Sequence, residues 1–326
     1  MTISRRQFVA GASLAAALPT SYQAALAQAG YPNKPIRLLV GFAPGGSTDT
    51  VGRLIGQALG ERIGQNLVIE NRPGAGTNIA TEAAIRSAPD GYTLLMVGPS
   101  VTINATLYKE LNFNFLRDAE PVSAIASQAQ VMLANPKLPV QSVAELIAYG
   151  KKNPGKLTVA SAGIGSIGHL TGELFKMKTG IELLHVPYRG ASPALADLVG
   201  GQVDISFAGI AGAVEFVKAG TLRALGVSTR TRSERLPDVP VIADAVPGFE
   251  SNDWFGMAAP KNTPPEIIAL LNREIAAAVA DPKLKARFAD LGATSMPMLP
   301  ADFGRLLRED TEKWGEVVRT AKISPI

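Results

Sequence analysis

The chain has 326 residues and a formal net charge of +4, and its 46% hydrophobic and 18% charged residues indicate an ordered globular protein. This length is typical of about two domains. The absence of cysteine excludes disulfides, thiolate metal sites, cysteine nucleophiles and a lipoprotein anchor. With only two histidines and no dense Lys/Arg block, the sequence predicts neither a metal centre nor a nucleic-acid partner.

Residues 1–27 have the three parts of an export signal in the usual order. Arg5 and Arg6 form a twin-arginine pattern, an apolar run follows at 9–18, and Ala25 and Ala27 offer a small-residue cleavage site. The apolar run is too short to span a bilayer. The pattern predicts a twin-arginine signal peptide cleaved near Ala27 and a mature protein in the periplasm; the alternative is a buried N-terminal helix.

Short apolar strands then alternate with helical patterns, and glycine-rich loops connect them. Strands are predicted at 36–40, 67–70, 93–97, 157–160, 183–186 and 203–207. Helices are predicted at about 50–63, 103–109 and 194–199. Three further helices are predicted with one bound only: one begins at 77, one ends at about 177 and one begins after 212. Three more are predicted at 265–280, 282–291 and 301–321. This rhythm predicts an α/β fold with parallel strands in two sheets flanked by helices.

Two proline-containing breaks, at 135–139 and 236–240, bracket a middle block. We predict a signal at 1–27, a first domain from 28–128 and 250–326, and a second domain from 129–249, with hinge crossings near 126–134 and 246–254. Two capping boxes are predicted, Ser142 with Glu145 and Thr263 with Glu266, the second with Pro264 at the first helical position.

The glycine loops precede helices and therefore expose backbone N–H groups at the positive end of each helix dipole. In parallel sheets these loops share the carboxyl edge, where ligands bind. Small polar residues lie in or beside the loops: Ser47, Thr48, Thr77, Asn78, Ser100, Ser161 and Ser166. Each could simply cap its helix. Together they predict a site for a carboxylate or similar anion between two domains.

The segment 163–168 (GIGSIG) matches the G-x-G-x-x-G pattern of dinucleotide-binding loops. That pattern also needs an acidic residue at the end of the next strand, but Glu182 precedes this strand and Arg189 follows it. Because Arg189 could face a 2′-phosphate, an exported NADP-dependent oxidoreductase is the alternative function. No Walker motif, H-E-x-x-H or G-x-S-x-G motif occurs.

Several single residues have two interpretations. His169 either bonds a neighbouring loop or reaches the ligand, and His185 fits a satisfied core or hinge histidine. Asp49 either braces its loop, or pairs with a ligand amine or holds ligand-bound water. Phe42 is a candidate for the cleft, and the pair 254–255 (WF) either lines the cleft or packs at the hinge.

Six motifs, taken in order, resemble those of the Bug-type solute-binding proteins of the tripartite tricarboxylate transporter family. They are 41–49 (GFAPGGSTD), 71–76 (NRPGAG), 161–166 (SAGIGS) with His169, 185–190 (HVPYRG), 198–204 (LVGGQVD) and 254–260 (WFGMAAP). The resemblance covers the chain from about residue 32 to the last helix.

The resemblance implies a two-lobed periplasmic binding protein without catalytic activity or cofactor, which closes like a flytrap on a small organic acid. The expected ligand is a di- or tricarboxylate, an amino acid or an aromatic carboxylate, and the expected partners are a membrane permease or a sensor; the protein is expected to be a monomer. The ligand contacts implied in the first domain are Phe42, Ala43, Gly46, Ser47, Asp49, Thr77, Asn78 and Ser100. Those implied in the second domain are Ser161, Gly165, Ser166, His169, Ala208 and Gly209.

One segment departs from the family pattern. Where many relatives have Gly-Asn-x-Gly, this chain has Thr77 and Ala80 in place of the two glycines. Thr77 adds a β-branched side chain next to the expected cleft.

Overall fold

The computed structural model describes residues 30–188 and 190–323; the predicted signal at 1–27 and Arg189 lie outside these ranges. The strands are β1 Ile36–Val40, β2 Leu67–Asn71, β3 Thr93–Val97, β4 Ala119–Ala134, β5 Leu157–Ser161, β6 Leu183–Pro187, β7 Ile205–Gly209, β8 Arg223–Val227, β9 Asn252–Pro260 and β10 Ala293–Ser295. The helices are α1 Ser47–Ile63, α2 Asn78–Ile85, α3 Ser100–Leu107, α4 Phe115–Asp118, α5 Val143–Lys152, α6 Ile167–Thr179, α7 Ala191–Gly200, α8 Ile210–Lys218, α9 Pro265–Ala280, α10 Pro282–Asp290 and α11 Pro300–Thr320.

The strands form two sheets that share β4, which confirms the predicted α/β class. Sheet A has the order β2-β1-β3-β9-β4, with β10 also paired to β4. Sheet B continues from β4 through β7 and β5 to β6, with β8 also paired to β4. The strands β1, β2 and β3 run parallel, as do β5, β6 and β7, whereas β4 and β9 are antiparallel to their neighbours.

The long strand β4 passes from sheet A to sheet B. It pairs with β9 as far as Ala129 and with β7 from Gln130 onward. The chain returns at the end of the middle block, where the Ser251 amide donates to the Ser228 carbonyl just before β9. Both passages lie in the segments predicted as crossings. The predicted domain boundaries themselves stay a prediction.

All six predicted strands are present. Four of them are mostly buried, whereas β2 and β6 lie at the ends of the strand order and are largely half-buried or exposed. β1 and β3 have the predicted ends, and the five residues of β3 are all buried. The strand predicted at 203–207 begins two residues later, at Ile205. The helix predicted at 103–109 begins earlier, at Ser100.

One of the two predicted capping boxes is wrong. Ser142 accepts a hydrogen bond from the Glu145 amide at 3.2 Å and caps α5 as predicted. The Thr263 hydroxyl instead donates to the Pro260 carbonyl at 2.7 Å. Pro264 is the N-cap of α9 rather than its first residue, because this turn already uses the threonine.

The C-terminal helix α11 connects the cores of the two sheets. Its Phe303 packs with Trp254 in a cluster under sheet A. Its Trp314 belongs to a second cluster with Phe175 of α6 and with Leu107 of α3. Within the described ranges, no helix is both long and apolar enough to cross a membrane.

Close packing of α6 on β7 depends on Gly168. A Cβ at this position would lie 2.5 Å from the Phe207 carbonyl oxygen, which belongs to the backbone and cannot move aside cheaply. We expect Gly168→Ala to lower the free energy of unfolding by about 1–3 kcal/mol, measured by urea denaturation.

The matched control is Gly212→Ala in α8, where a Cβ would meet only Leu195 at 3.7 Å. Helix propensity predicts a neutral or stabilising effect of up to about 1 kcal/mol there. Equal stability of the two variants would show that the approach of α6 to β7 is not tight.

Candidate functional site

Glycine-containing loops connect β1 to α1 and β5 to α6, and Gly209 at the end of β7 leads directly into α8. In sheets of parallel strands these loops share the carboxyl edge, as the sequence predicted. The first glycine loop (residues 41–49) follows β1 of sheet A. The second glycine loop (residues 161–169) begins at the end of β5 of sheet B. Phe42, Ala43, Gly46 and Ser47 are exposed in the first of them.

Asp49 holds the first glycine loop. Its Oδ2 accepts a hydrogen bond from the Gly45 amide at 2.9 Å, and its Oδ1 accepts one from Asn71 Nδ2 at 2.8 Å. Arg53 donates to both carboxylate oxygens, at 3.0 and 2.9 Å. Burial raises the pKa of Asp49, but the hydrogen bonds from Arg53, Gly45 and Asn71 outweigh it and hold the pKa below its usual value. The geometry therefore supports the bracing interpretation of Asp49.

His169 holds the second glycine loop in the same way. Its Nδ1 accepts a hydrogen bond from the Gly165 amide at 3.1 Å, so this nitrogen carries no proton. Both loops thus contain a glycine with positive φ, 90° at Gly45 and 77° at Gly165, bonded to a buried acceptor four residues later. His169 therefore bonds its own glycine loop, and its contact with a ligand stays a prediction.

Ser166 is the N-cap of α6. Its hydroxyl donates to the Gly163 carbonyl at 2.7 Å and accepts from the His169 amide at 3.3 Å. Its own amide also donates to the Gly163 carbonyl. The second glycine loop therefore already uses both the hydroxyl and the amide of Ser166, and the ligand contact that the resemblance implied for Ser166 stays a prediction.

A stacked pair of histidines lies behind the second glycine loop. The rings of His169 and His185 are 3.8 Å apart and nearly parallel, and His185 Nε2 lies 2.7 Å from the Ser161 hydroxyl. Burial, the neighbouring His185 and Lys176 lower the pKa of His169 to about 3. Burial and Lys176 lower that of His185 to about 4. Both histidines are therefore neutral near pH 7.

Four helices at these loops have no side-chain cap among the described residues. Their N-cap positions are Gly46 for α1, Thr77 for α2, Pro99 for α3 and Gly209 for α8. By contrast, Ser142 caps α5 and Asp281 caps α10. An uncapped first turn keeps amide donors and the positive end of the dipole available to an anion.

The 72–78 loop lies against α3. Asn104 of α3 donates to the Gly76 carbonyl at 2.7 Å and to Asn78 Oδ1 at 2.9 Å. The hydroxyls of Thr77 and Ser100 are 3.2 Å apart. The structure therefore brings Thr77, Asn78 and Ser100 together, as the resemblance implied.

The second glycine loop also contacts α3. A Cβ at Gly165 would overlap Leu107 Cδ2, so this glycine lets the loop approach the end of α3. Between the two sheets, a Cβ at Gly292 before β10 would likewise overlap Ile210 Cγ2 of α8. The predicted site residues of the two sheets thus lie on elements that touch each other. Ala208 is buried at the end of β7, and Gly209 beside it is half-buried.

Asp253 is a polar residue near the loops that the sequence analysis missed. Gln128 Nε2 donates to Asp253 Oδ2 at 2.8 Å, and the same Gln128 side chain lies beside Gly209. Burial raises the pKa of Asp253 to about 6, although the bond from Gln128 opposes this shift. An acidic residue directly before the 254–255 pair was the available signal.

Trp254 and Phe255 are fully buried and pack at the crossing instead of lining a cleft. Trp254 Nε1 donates to Asp310 of α11 at 2.6 Å, and Phe255 lies in the core under sheet A. This decides between the two interpretations given for these residues.

Two surface pockets of about 260 and 470 Å³ lie away from the loops. The first lies between α3, the 111–116 segment and Thr311, and the second between α1 and β2. Neither is lined by a predicted site residue, so the loop geometry and not pocket size identifies the candidate site. In the described part of the chain, no group of three or more acidic or histidine side chains is placed to bind a metal.

Comparison with known proteins agrees with this geometry. The sequence model described as "Tripartite tricarboxylate transporter family receptor" matches residues 51–323. The chain belongs to this family. It is 38% identical to BugT of Bordetella pertussis over 292 residues, which are 89% of this chain and 90% of BugT.

Solved members of the family are similar in fold. A protein of R. palustris solved with adipate has a TM-score of 0.81 and 36% identity, covering 91% of this chain and all of that one. MatC from Rhodopseudomonas palustris, solved with bound malate, has a TM-score of 0.77 and 32% identity, covering 88% of this chain and all of MatC. The family consists of solute-binding receptors and not of enzymes, so this chain has a solute-binding role.

The oxidoreductase alternative is therefore not supported. Glu182 lies beside Gly155, which precedes β5, and so at the amino edge of sheet B as the sequence indicated. Gly168, the last glycine of the 163–168 pattern, serves the packing of α6 on β7 described above.

The neutral state of His169 makes stability depend on pH. Its pKa is lowered from 6.5 to about 3 in the folded protein, so the unfolded chain binds the additional proton as the pH falls below 6.5. Stability is therefore lost in that direction. In His169→Gln the amide oxygen can still accept from Gly165 without titrating, and we expect about 2 kcal/mol less loss of unfolding free energy between about pH 7 and pH 5.

Urea denaturation at both pH values measures this difference, and any contribution from Asp253 is common to both proteins. Parallel losses in the wild type and in His169→Gln would contradict a buried neutral histidine at this position.

Proposed function

We propose that this protein is a periplasmic receptor that captures a small organic acid between its two sheets and delivers it to a membrane permease or reports it to a sensor. The proposal is carried by one observation. Each sheet presents a glycine loop whose left-handed glycine is locked by a buried acceptor, Asp49 in one loop and His169 in the other. This lock holds the loop while the exposed backbone of the first glycine loop is available to a ligand.

The chemistry of these loops favours a carboxylate. Backbone N–H groups at uncapped helix starts bind anions well. In the first glycine loop the nearest cation, Arg53, is already paired with Asp49, so the loop relies on amides instead of a dedicated arginine. The relatives solved with adipate and malate make a small dicarboxylate the first class to test.

Capture by both sheets requires a hinge. We propose lobes at 28–128 with 250–326 and at 129–249, joined through β4 and the return before β9, in a monomeric mature protein exported by the signal at 1–27. A ligand that contacts both lobes only when they are closed shifts the population toward closure. The contact between Gly165 and Leu107 supports this proposal, because it brings the second glycine loop onto the first lobe.

Binding is tested first with the wild-type mature protein. Adipate, malate, a tricarboxylate and an aromatic carboxylate are titrated by calorimetry and by thermal denaturation, with the diamide of adipate as the uncharged control. We expect at least one acid to raise the melting temperature and the diamide to have no effect. No shift with any acid would contradict the proposed function.

A matched pair of variants then tests the amide donors. Gly46 has a φ of −76°, which proline can adopt, and a Cβ there would meet only the Ala43 carbonyl at 3.9 Å. Gly46→Pro removes one N–H, and we expect affinity to fall by about tenfold to a hundredfold, since a hydrogen bond to a charged group contributes about 1.5–3 kcal/mol. Gly46→Ala keeps the N–H and should bind within about threefold of the wild type. Equal affinity of the two variants would remove this amide from the site.

A further inference from the structure

Thr77 has a backbone conformation that a β-branched residue rarely adopts. Its φ is 84° and its ψ is −8°, in the left-handed region. It is also buried, with 6% of its surface exposed. Strain of this kind persists only where the surrounding structure enforces it, and it clusters at functional sites.

Gly41 at the start of the first glycine loop makes room for Thr77. A Cβ on Gly41 would lie 2.6 Å from Thr77 Cβ and 2.9 Å from its methyl carbon Cγ2. The missing side chain at Gly41 therefore accommodates the threonine that the 72–78 loop inserts. The two loops interlock at this point.

On its other side Thr77 contacts the start of α3. Its Oγ1 lies 3.2 Å from the hydroxyl oxygen of Ser100, the first residue of that helix. Thr77 is buried, whereas Ser100 is half-buried. If Thr77 donates to Ser100, the proton of Ser100 is directed away from this pair and toward the exposed side.

The neighbouring residues keep Thr77 in place. Since the Gly76 carbonyl can only accept, the Asn104 side chain presents its NH₂ group there and donates its second hydrogen to Asn78 Oδ1. These bonds hold the Gly76 backbone on one side of Thr77 and the Asn78 side chain on the other against α3. The strained conformation is thus held by the first glycine loop, by the 72–78 loop and by α3 together.

We propose that Thr77 is a specificity-determining positioning residue, which orients the Ser100 hydroxyl as a donor to a carboxylate oxygen of the solute. The relay runs from the Thr77 O–H to Ser100 Oγ and from the Ser100 O–H to the ligand, and donation in series strengthens the second bond. This inference rests on the proposed function and goes further, because it assigns a role to the strained Thr77.

Three substitutions at Thr77 separate the effects of its hydroxyl group, its branched shape and its backbone strain. The affinities for malate and adipate are measured for each variant. Thr77→Val keeps the branched shape without the hydroxyl, and we expect about tenfold weaker binding of the preferred acid. Thr77→Ser keeps the hydroxyl and should bind within about threefold of the wild type. Thr77→Gly removes both and relieves the strain, so its melting temperature should rise by about 2 °C or more while its affinity falls about tenfold.

A double-mutant cycle tests the relay itself. Ser100→Ala should lose about as much affinity as Thr77→Val, and the double variant should lose no more than Ser100→Ala alone, since both changes break one relay. Additive losses, or wild-type affinity in Thr77→Val, would overturn the relay while the wild type still binds. Wild-type protein that binds no acid would overturn the proposed function and this inference together.

Discussion

A left-handed glycine bonded to a buried side chain four residues later is the constraint on which both glycine loops depend. Gly45 donates to Asp49 and Gly165 donates to His169, and each acceptor lies in the first turn of the helix that the loop precedes. Positive φ turns the chain back toward its own helix. In the first glycine loop no side chain caps α1, so the amides that follow Gly45 stay available, whereas Ser166 caps α6 in the second. Side chains at the helix starts therefore hold the shape of both loops.

Asp49 and His169 both accept a hydrogen bond from the glycine of their loop, but they differ in charge. Asp49 is an anion, but its ion pair with Arg53 at 2.9 Å offsets the charge that would repel a carboxylate. His169 is neutral because burial and the stacked His185 oppose its protonation. Neither acceptor cancels the attraction that helix dipoles exert on an anion. The left-handed backbone of Thr77 is also strained. Such strain lowers local stability, and it is typical of residues that position functional groups.

The sequence was sufficient to predict the parallel strands and the loops that follow them, since a short apolar run that ends in glycine is typical of a strand followed by a turn. It was insufficient for β4, because Gln128 and Gln130 interrupt its apolar pattern, although both are buried in the structure. It was also insufficient for Ser166, whose role depends on which group its hydroxyl meets in three dimensions. The sequence indicated that Asp49 and His169 lie at helix starts. Only the structure shows that each accepts a hydrogen bond from the glycine four residues earlier.

The central claim is that one small acid is bound by the glycine loops of both sheets at once. The most direct measurement is small-angle X-ray scattering of the mature protein, without ligand and saturated with an acid shown to bind. The account predicts a smaller radius of gyration with the acid, because closure about β4 and the return before β9 brings the lobes together. An unchanged radius at saturation would contradict it.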